Sequence, residues 1–240
     1  MPTDRTVVDV DSVTKRYGEV VAVDNATFGL PAGSITGFLG PNGAGKTTTL
    51  RLLLGLSEPT SGQALVFGRR FRDLDQPMQT VGAVLESDDF DPGRGGRDHL
   101  RVLARAGEVP EERVDAVLDV VGLTSAGGRR VRTYSLGMRQ RLGVAAAVLG
   151  EPQLLVLDEP ANGLDPQGMQ WLRSFLRSFA EGGGTVLISS HVLAEVAQTV
   201  DQVVIINHGE IVADSPLAAL TSKRVTLEDI YIDLINETTA

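Results

Sequence analysis

Short apolar runs rich in β-branched residues recur along this chain, and between several of them apolar positions return every three or four residues. The runs predict strands near residues 20–28, 34–39, 63–67, 81–85, 154–158, 185–190 and 203–207. Strands alternating with helical patterns define an α/β protein with a mainly parallel sheet. The first seventy residues hold strands with one helix among them, beginning after residue 44, so an antiparallel β piece is expected beside the parallel core. Residues 97–150 differ. Their periodicity predicts helices over about 97–106, 111–121 and 136–149, with the Gly- and Arg-rich GLTSAGGRRVRT before the last. Lying between two sheet-forming parts, this stretch reads as a helical insertion rather than a linker.

Composition narrows the class. The chain has 240 residues, 42% hydrophobic and 22% charged, as in a water-soluble globular protein. No apolar run approaches the roughly 20 residues of a membrane span. The N-terminus MPTDRTVVDVDS lacks the basic and apolar parts of a signal peptide, which implies a cytoplasmic chain. The absence of cysteine excludes disulfides and thiolate metal sites. With 22 basic against 31 acidic residues the net charge is −9, which argues against nucleic acid as a partner.

The strongest chemical signal is GPNGAGKT, residues 40–47, which fits the phosphate-binding pattern G-x-x-x-x-G-K-[ST]. The apolar strand SITGFL leads in and the helical TTTLRLLLGL leads out, the context such a loop requires. Gly40, Gly43 and Gly45 allow the backbone to curl so that its N–H groups point at the β- and γ-phosphates. Lys46 neutralises them, and Thr47 offers a hydroxyl to Mg²⁺. Pro41, Asn42, Ala44 and Thr48 complete the expected nucleotide-binding segment.

Two further strands end in chemistry. LLVLDEP, residues 154–160, is a buried run closing on Asp158 and Glu159 at the strand edge where open α/β sheets hold ligands. Asp158 is expected to hold Mg²⁺ through water and Glu159 to take a proton from an attacking water. Adjacent side chains on a strand point opposite ways, so the two carboxylates are given different tasks. TVLISSH, residues 185–191, closes on His191 at the same expected edge, which suggests a γ-phosphate contact. Finally YSLGMRQR, residues 134–141, places a hydroxyl and a glycine at the mouth of a helix, a second anion site in a chain that already has one.

The order of the phosphate loop, YSLGMRQR, LLVLDEP, NGLD and ISSH resembles the ATP-binding subunit of ABC transporters over nearly the whole chain. The resemblance implies one ABC ATPase domain over residues 1–240, with the helical insertion at about 88–150 and a short helical tail at about 215–240. It also implies a head-to-tail dimer with a second copy, in which the signature segment of one subunit caps the ATP held by the other. On that basis Tyr17 would stack on adenine, Ser135 and Gly137 would donate to the partner's γ-phosphate, and Asp165 would organise the segment between Glu159 and the opposite subunit. ATP and Mg²⁺ are the implied cofactors. A separate integral membrane permease subunit is the implied partner, and would hold the chain peripherally at the inner face of the membrane.

Two departures from that family carry information. The usual signature L-S-G-G-Q is here Tyr134-Ser-Leu-Gly-Met138, and the glutamine that usually ends the strand before the insertion is Glu86, a charged oxygen with no donor. Both features, with the tail LEDIYIDL, resemble the bacitracin-resistance and drug-export subgroup. Export of a drug, peptide antibiotic or similar hydrophobic compound is therefore expected, with Glu86 a working metal contact. An importer ATPase remains an alternative. Non-transport ABC ATPases of translation or DNA maintenance usually carry tandem domains, long coiled-coil insertions or zinc-binding cysteines, whereas this chain has one phosphate loop, an insertion of about fifty residues and no cysteine. Trp171 is expected to pack on the stripe of Leu172, Phe175, Leu176 and Phe179. Arg129, Arg130 and Arg132 read as solvated, His208 as part of a hairpin turn, and His99 as lacking a ligand partner.

Overall fold

A computed structural model describes residues 6–85, 90–221 and 225–237. The first part of the chain runs through β1 (Thr6–Tyr17), β2 (Val20–Pro31), β3 (Ile35–Leu39), α1 (Lys46–Leu53) and β4 (Ser61–Val66). Next come α2 (Pro77–Thr80), β5 (Val81–Val84), α3 (Gly96–Ala106), α4 (Glu112–Val120), α5 (Leu136–Ala147), β6 (Leu154–Leu157) and α6 (Pro166–Glu181). The chain ends with β7 (Thr185–Ser190), α7 (Leu193–Val196), β8 (Gln202–Asn207), β9 (Glu210–Pro216), α8 (Leu217–Leu220) and α9 (Leu227–Glu237). These elements group into two compact units, Met1–Asp75 with Leu176–Ala240, and Gln76–Phe175.

In the first unit β1 pairs antiparallel with both β2 and β4, the antiparallel piece expected from the sequence. The parallel core is built on β3, which pairs with β7 on one side and β8 on the other, while β9 returns antiparallel along β8. Every residue of β3 and β7 is buried, so neither shows polar–apolar alternation, and Thr36, Thr185, Ser189 and Ser190 are buried with the apolar residues. Leu30, Ile35, Phe38, Leu39, Leu50 and Leu53 are fully buried, with Phe28 stacked on Phe38 at 5.4 Å.

The strand β1 was not legible in the sequence, and a bulge explains why. Val8 and Val10 are buried in alternation, but the next buried residue is Val13, so the period breaks. Ser12 sits at the break with φ of 51°, its N–H donating to Thr27 Oγ1 at 2.9 Å, and the register against β2 shifts between Val10 and Val13.

In the second unit β5 and β6 pair in parallel, and α5 packs on β5. The helices α3, α4 and α5 contact one another, and their residues Leu100, Val114, Val117, Leu118 and Leu142 are buried. Arg97–Asp115 at 2.9 Å and Arg101–Glu111 at 2.8 Å tie α3 to α4 along their wetter side. All three helices predicted over 97–149 are present, with ends within two residues of expectation.

Candidate nucleotide site

The phosphate loop sits where β3 ends and α1 begins. Gly45 caps α1 with φ of 110°, a conformation that L side chains rarely adopt, and a Cβ there would stand 2.5 Å from Ala22 O. A Cβ on Gly40 would run into Ile206 O of β8. The loop is therefore glycine-bearing for reasons of space as well as torsion. No side chain caps the N-terminus of α1, and a helix N-terminus offers backbone N–H groups and the positive end of its dipole to an anion. Lys46 is buried at 7% exposure, and its ammonium donates to Gly40 O at 2.7 Å and to Pro41 O at 3.3 Å. These bonds offset the desolvation of the charge and keep it inside the curl.

A support for this loop was missed in the sequence. The hairpin between β8 and β9 turns at His208 and Gly209, both with positive φ, and Gly209 N–H donates to Ala44 O at 2.9 Å. Asp24 N–H in turn donates to Gly209 O at 2.8 Å, joining turn, loop and β2. The Asn-His-Gly sequence of that turn was a readable hairpin signal, but nothing in it pointed at the loop. His208 itself is exposed, as a turn residue.

Parallel register places the other residues of this unit. Leu39 pairs with Ser190, so Gly40 and His191 leave adjacent strands at the same edge. His191 is exposed there, and Ser190 Oγ accepts from Val192 N–H at 3.0 Å. Tyr17 ends β1 at 51% exposure, with Lys15 Nζ 4.9 Å from its ring centroid and its hydroxyl 3.5 Å from Ser57 Oγ. Lys15 thus lies over the ring and Ser57 beside its hydroxyl, while half of the side chain stays open to solvent.

In the second unit the ladder of β5 and β6 extends one step past the strand, Asp158 N–H donating to Val84 O at 2.7 Å. Alternation between opposite faces stops at Leu157, because Glu159 has left the strand with φ of 48°. A glutamate in the left-handed region is uncommon, and such residues concentrate at functional sites. Its carbonyl accepts from Asn162 N–H at 3.1 Å. Glu86 lies outside the described residues. Among the described residues no group of three or more His, Cys, Asp and Glu is placed to hold a metal.

Ser135 stands at the N-cap of α5, its hydroxyl oxygen accepting from Met138 N–H at 3.2 Å. That bond uses an acceptor lone pair and leaves the O–H hydrogen able to donate. Gly137 lies one residue inside the first turn. Asp165 caps the start of α6 by accepting from Gly168 N–H at 2.7 Å. A cleft of about 480 Å³ is lined by Ser135, Gly137 and Asp165 together with Arg129 and Arg141. Arg129, Arg130 and Arg132 are all exposed. Trp171 is half-buried, stacked on Phe175 at 5.6 Å, with the Arg141 guanidinium 4.5 Å from its ring centroid. His99 packs edge-on to Phe90 at 5.0 Å.

A glycine-bound loop between a buried parallel strand and an uncapped helix, with a buried lysine inside it, defines a phosphate-loop nucleotide-binding protein. Residues 23–162 match the family described as ABC transporter, and the chain belongs to that family. It is 42% identical over 221 residues to the bacitracin transport ATP-binding protein BcrA of Bacillus licheniformis, covering 91% of this chain and 72% of that one. It is 36% identical to the lantibiotic transport ATP-binding protein SrtF of Streptococcus pyogenes, covering 87% and 90% respectively. A solved ATP-binding subunit of an ABC transporter superposes with a TM-score of 0.85 at 27% identity, over 95% of this chain and 99% of that one. The fold expected from the sequence is thus the fold observed, and the chain is an ATP-hydrolysing subunit of this family. No described helix is long and apolar enough to cross a membrane.

Proposed function

We propose that this chain powers export of a peptide antibiotic or a similar drug through a separate membrane subunit, working as a head-to-tail dimer at the inner face of the membrane. The observation that carries the reading is the 42% identity, over nine-tenths of the chain, to a bacitracin transport ATP-binding protein, beside the likeness to a lantibiotic transport protein. The YSLGM signature and the LEDIYIDL tail support the same subgroup. Residues 1–240 act as one ATPase domain in this reading, with the helices of 88–150 as an insertion and 215–240 as a tail.

The residues then take these tasks. Lys46 exchanges its two carbonyl acceptors for β- and γ-phosphate oxygens, which bind an ammonium more strongly because they are charged. The N–H groups of residues 43–48 complete the cradle, and Tyr17 stacks on the adenine. Thr47, Asp158 and Glu86 are oxygen donors of the kind Mg²⁺ selects, and the ion, when bound, neutralises phosphate charge as it builds up. Glu159 accepts a proton from the water that attacks the γ-phosphorus as its bond to the bridging oxygen breaks, and His191 holds a γ-phosphate oxygen. Ser135 and Gly137 donate to the partner's ATP, so nucleotide favours the closed dimer and hydrolysis releases it. Asp165 holds the segment that runs between Glu159 and the opposite subunit.

The test is affinity purification of the tagged Glu159→Gln variant from gently solubilised cells with ATP and Mg²⁺. A polytopic membrane protein recovered in near-equal amount is the expected result. Ribosomal, repair or chromosomal proteins without a membrane partner would overturn the transport reading. A solute-binding protein in the complex would turn it toward import.

A further inference from the structure

Segment 162–165 and the first turns of α5 interlock within one subunit. Leu136 is a large apolar side chain left 44% exposed, and its Cγ and Cδ2 lie against a glycine. Gly163 has φ of 74°, and a Cβ built on it would run into Leu136 Cγ and Cδ2. One residue further along each segment the roles exchange. Leu164 Cδ2 lies 3.4 Å from the place of a Cβ on Gly137 and 3.3 Å from that of a Cβ on Gly168. Each leucine thus rests on a glycine of the facing segment; an added methyl would collide at Gly163, whereas at Gly137 it would only reach ordinary contact.

The same segment reaches the catalytic carboxylate through its backbone. Asn162 N–H donates to Glu159 O at 3.1 Å, and Asn162 O accepts a long bond from Gln140 Nε2 at 3.5 Å. Gln140 is only 4% exposed and lies on α5, five residues after the Ser135 cap. A continuous path of contacts therefore runs from Glu159 through Asn162 and Gln140, and in parallel through Gly163 and Leu136, to the helix terminus that carries Ser135 and Gly137.

We propose that Leu136 and Gly163 are positioning residues: their interlock lets the Glu159 segment of one subunit set where its own Ser135 and Gly137 stand, and so ties hydrolysis at one ATP to the capping of the other. The inference rests on the reading that Ser135 and Gly137 meet the ATP held by a second copy.

A double-mutant cycle over Leu136→Gly and Gly163→Ala tests it, since spatial continuity alone does not establish coupling. Gly163→Ala alone is expected to lower kcat for ATP by about 10–100-fold through misplacement of Ser135 and Gly137, with KM changed less than about 3-fold because the phosphate loop is untouched. Leu136→Gly removes the collision, so the double variant recovers most of that loss, and the Hill coefficient for ATP falls toward 1 in both variants that lack Leu136. An equal kcat loss from Gly163→Ala in the two backgrounds would assign it to backbone strain and overturn the proposal. Coupling seen in Tm but absent from kcat would also overturn it, leaving a packing contact only. ATP-driven dimerisation of the Glu159→Gln protein, followed by light scattering, checks the underlying reading separately. Failure to dimerise defeats that reading and the proposal together, whereas dimerisation with an additive cycle defeats the proposal alone.

Discussion

The Tyr134 hydroxyl donates to Ala126 O at 2.7 Å from a side chain that is 4% exposed. This bond fixes the residue before the Ser135 cap to the 3₁₀ turn of residues 124–126. It leaves no room at Gly96 of α3, where a Cβ would collide with the same hydroxyl. Tyrosine at the head of the signature is therefore an anchor between elements.

Tyr134→Phe keeps the ring and removes the donor, while the Ala126 carbonyl keeps its bond from Arg129 N–H at 2.8 Å. The expected loss is about 0.5–1.5 kcal/mol of stability, the net worth of one hydrogen bond, read as a Tm lowered by roughly 2–4 °C per kcal/mol in thermal unfolding. Burial also pushes the Tyr134 pKa up. The neutral phenol is the form the fold prefers, so its contribution is fully present below the ordinary value of about 10 and is lost as pH rises beyond it. Stability of the Phe variant should fall less steeply above that pH.

His99 provides the opposite slope. Burial first, and the charge of Arg94 second, push its pKa below the ordinary value, with Asp91 opposing. Its Nδ1 is buried with no hydrogen-bond partner among the described residues. The unfolded chain takes up a proton near pH 6.5 while the folded one resists, so stability is full above that pH and is lost as pH falls toward the folded value. His99→Phe should flatten the dependence of Tm on pH between about 7.5 and 5.5. An unchanged slope would place the acid sensitivity elsewhere.

Gly45→Ala places a methyl at φ of 110° and against Ala22 O. Forcing an L residue into such backbone costs on the order of 1–2 kcal/mol, and the collision adds to it. The variant is expected to unfold several degrees lower and to lose binding of a fluorescent ATP analogue, measured by titration.

Glu159→Gln should slow ATP turnover by roughly 10²–10⁴-fold while leaving nucleotide affinity within a few-fold. Steady-state hydrolysis with equilibrium ATP binding checks both. Normal turnover would remove Glu159 from the base role.

Local chemistry explains what could be read in advance. The buried strands β3, β6 and β7 announce themselves because burial on both faces favours short, largely apolar runs without alternation. The Ser135 cap and the phosphate loop are equally short-range, each a matter of a few neighbouring residues and their backbone torsions. The α3–α5 trio was legible for the same reason, through periodicity within each helix.

Other features depend on residues far apart in the chain, and these only the tertiary structure decided. The bulge at Ser12 hides β1 because its N–H finds Thr27 across the sheet, fifteen residues away. Gly209 supports the phosphate loop from a turn more than 160 residues downstream. Gly163 has meaning only once Leu136 lies over it. Sequence pattern by itself determined where most of the strands, the longer helices and the glycine-bearing helix starts would form, since hydrophobic period, caps and glycine torsions act within a few residues. Packing decided which of those parts constrain one another, because contact between distant segments leaves no periodic trace in either.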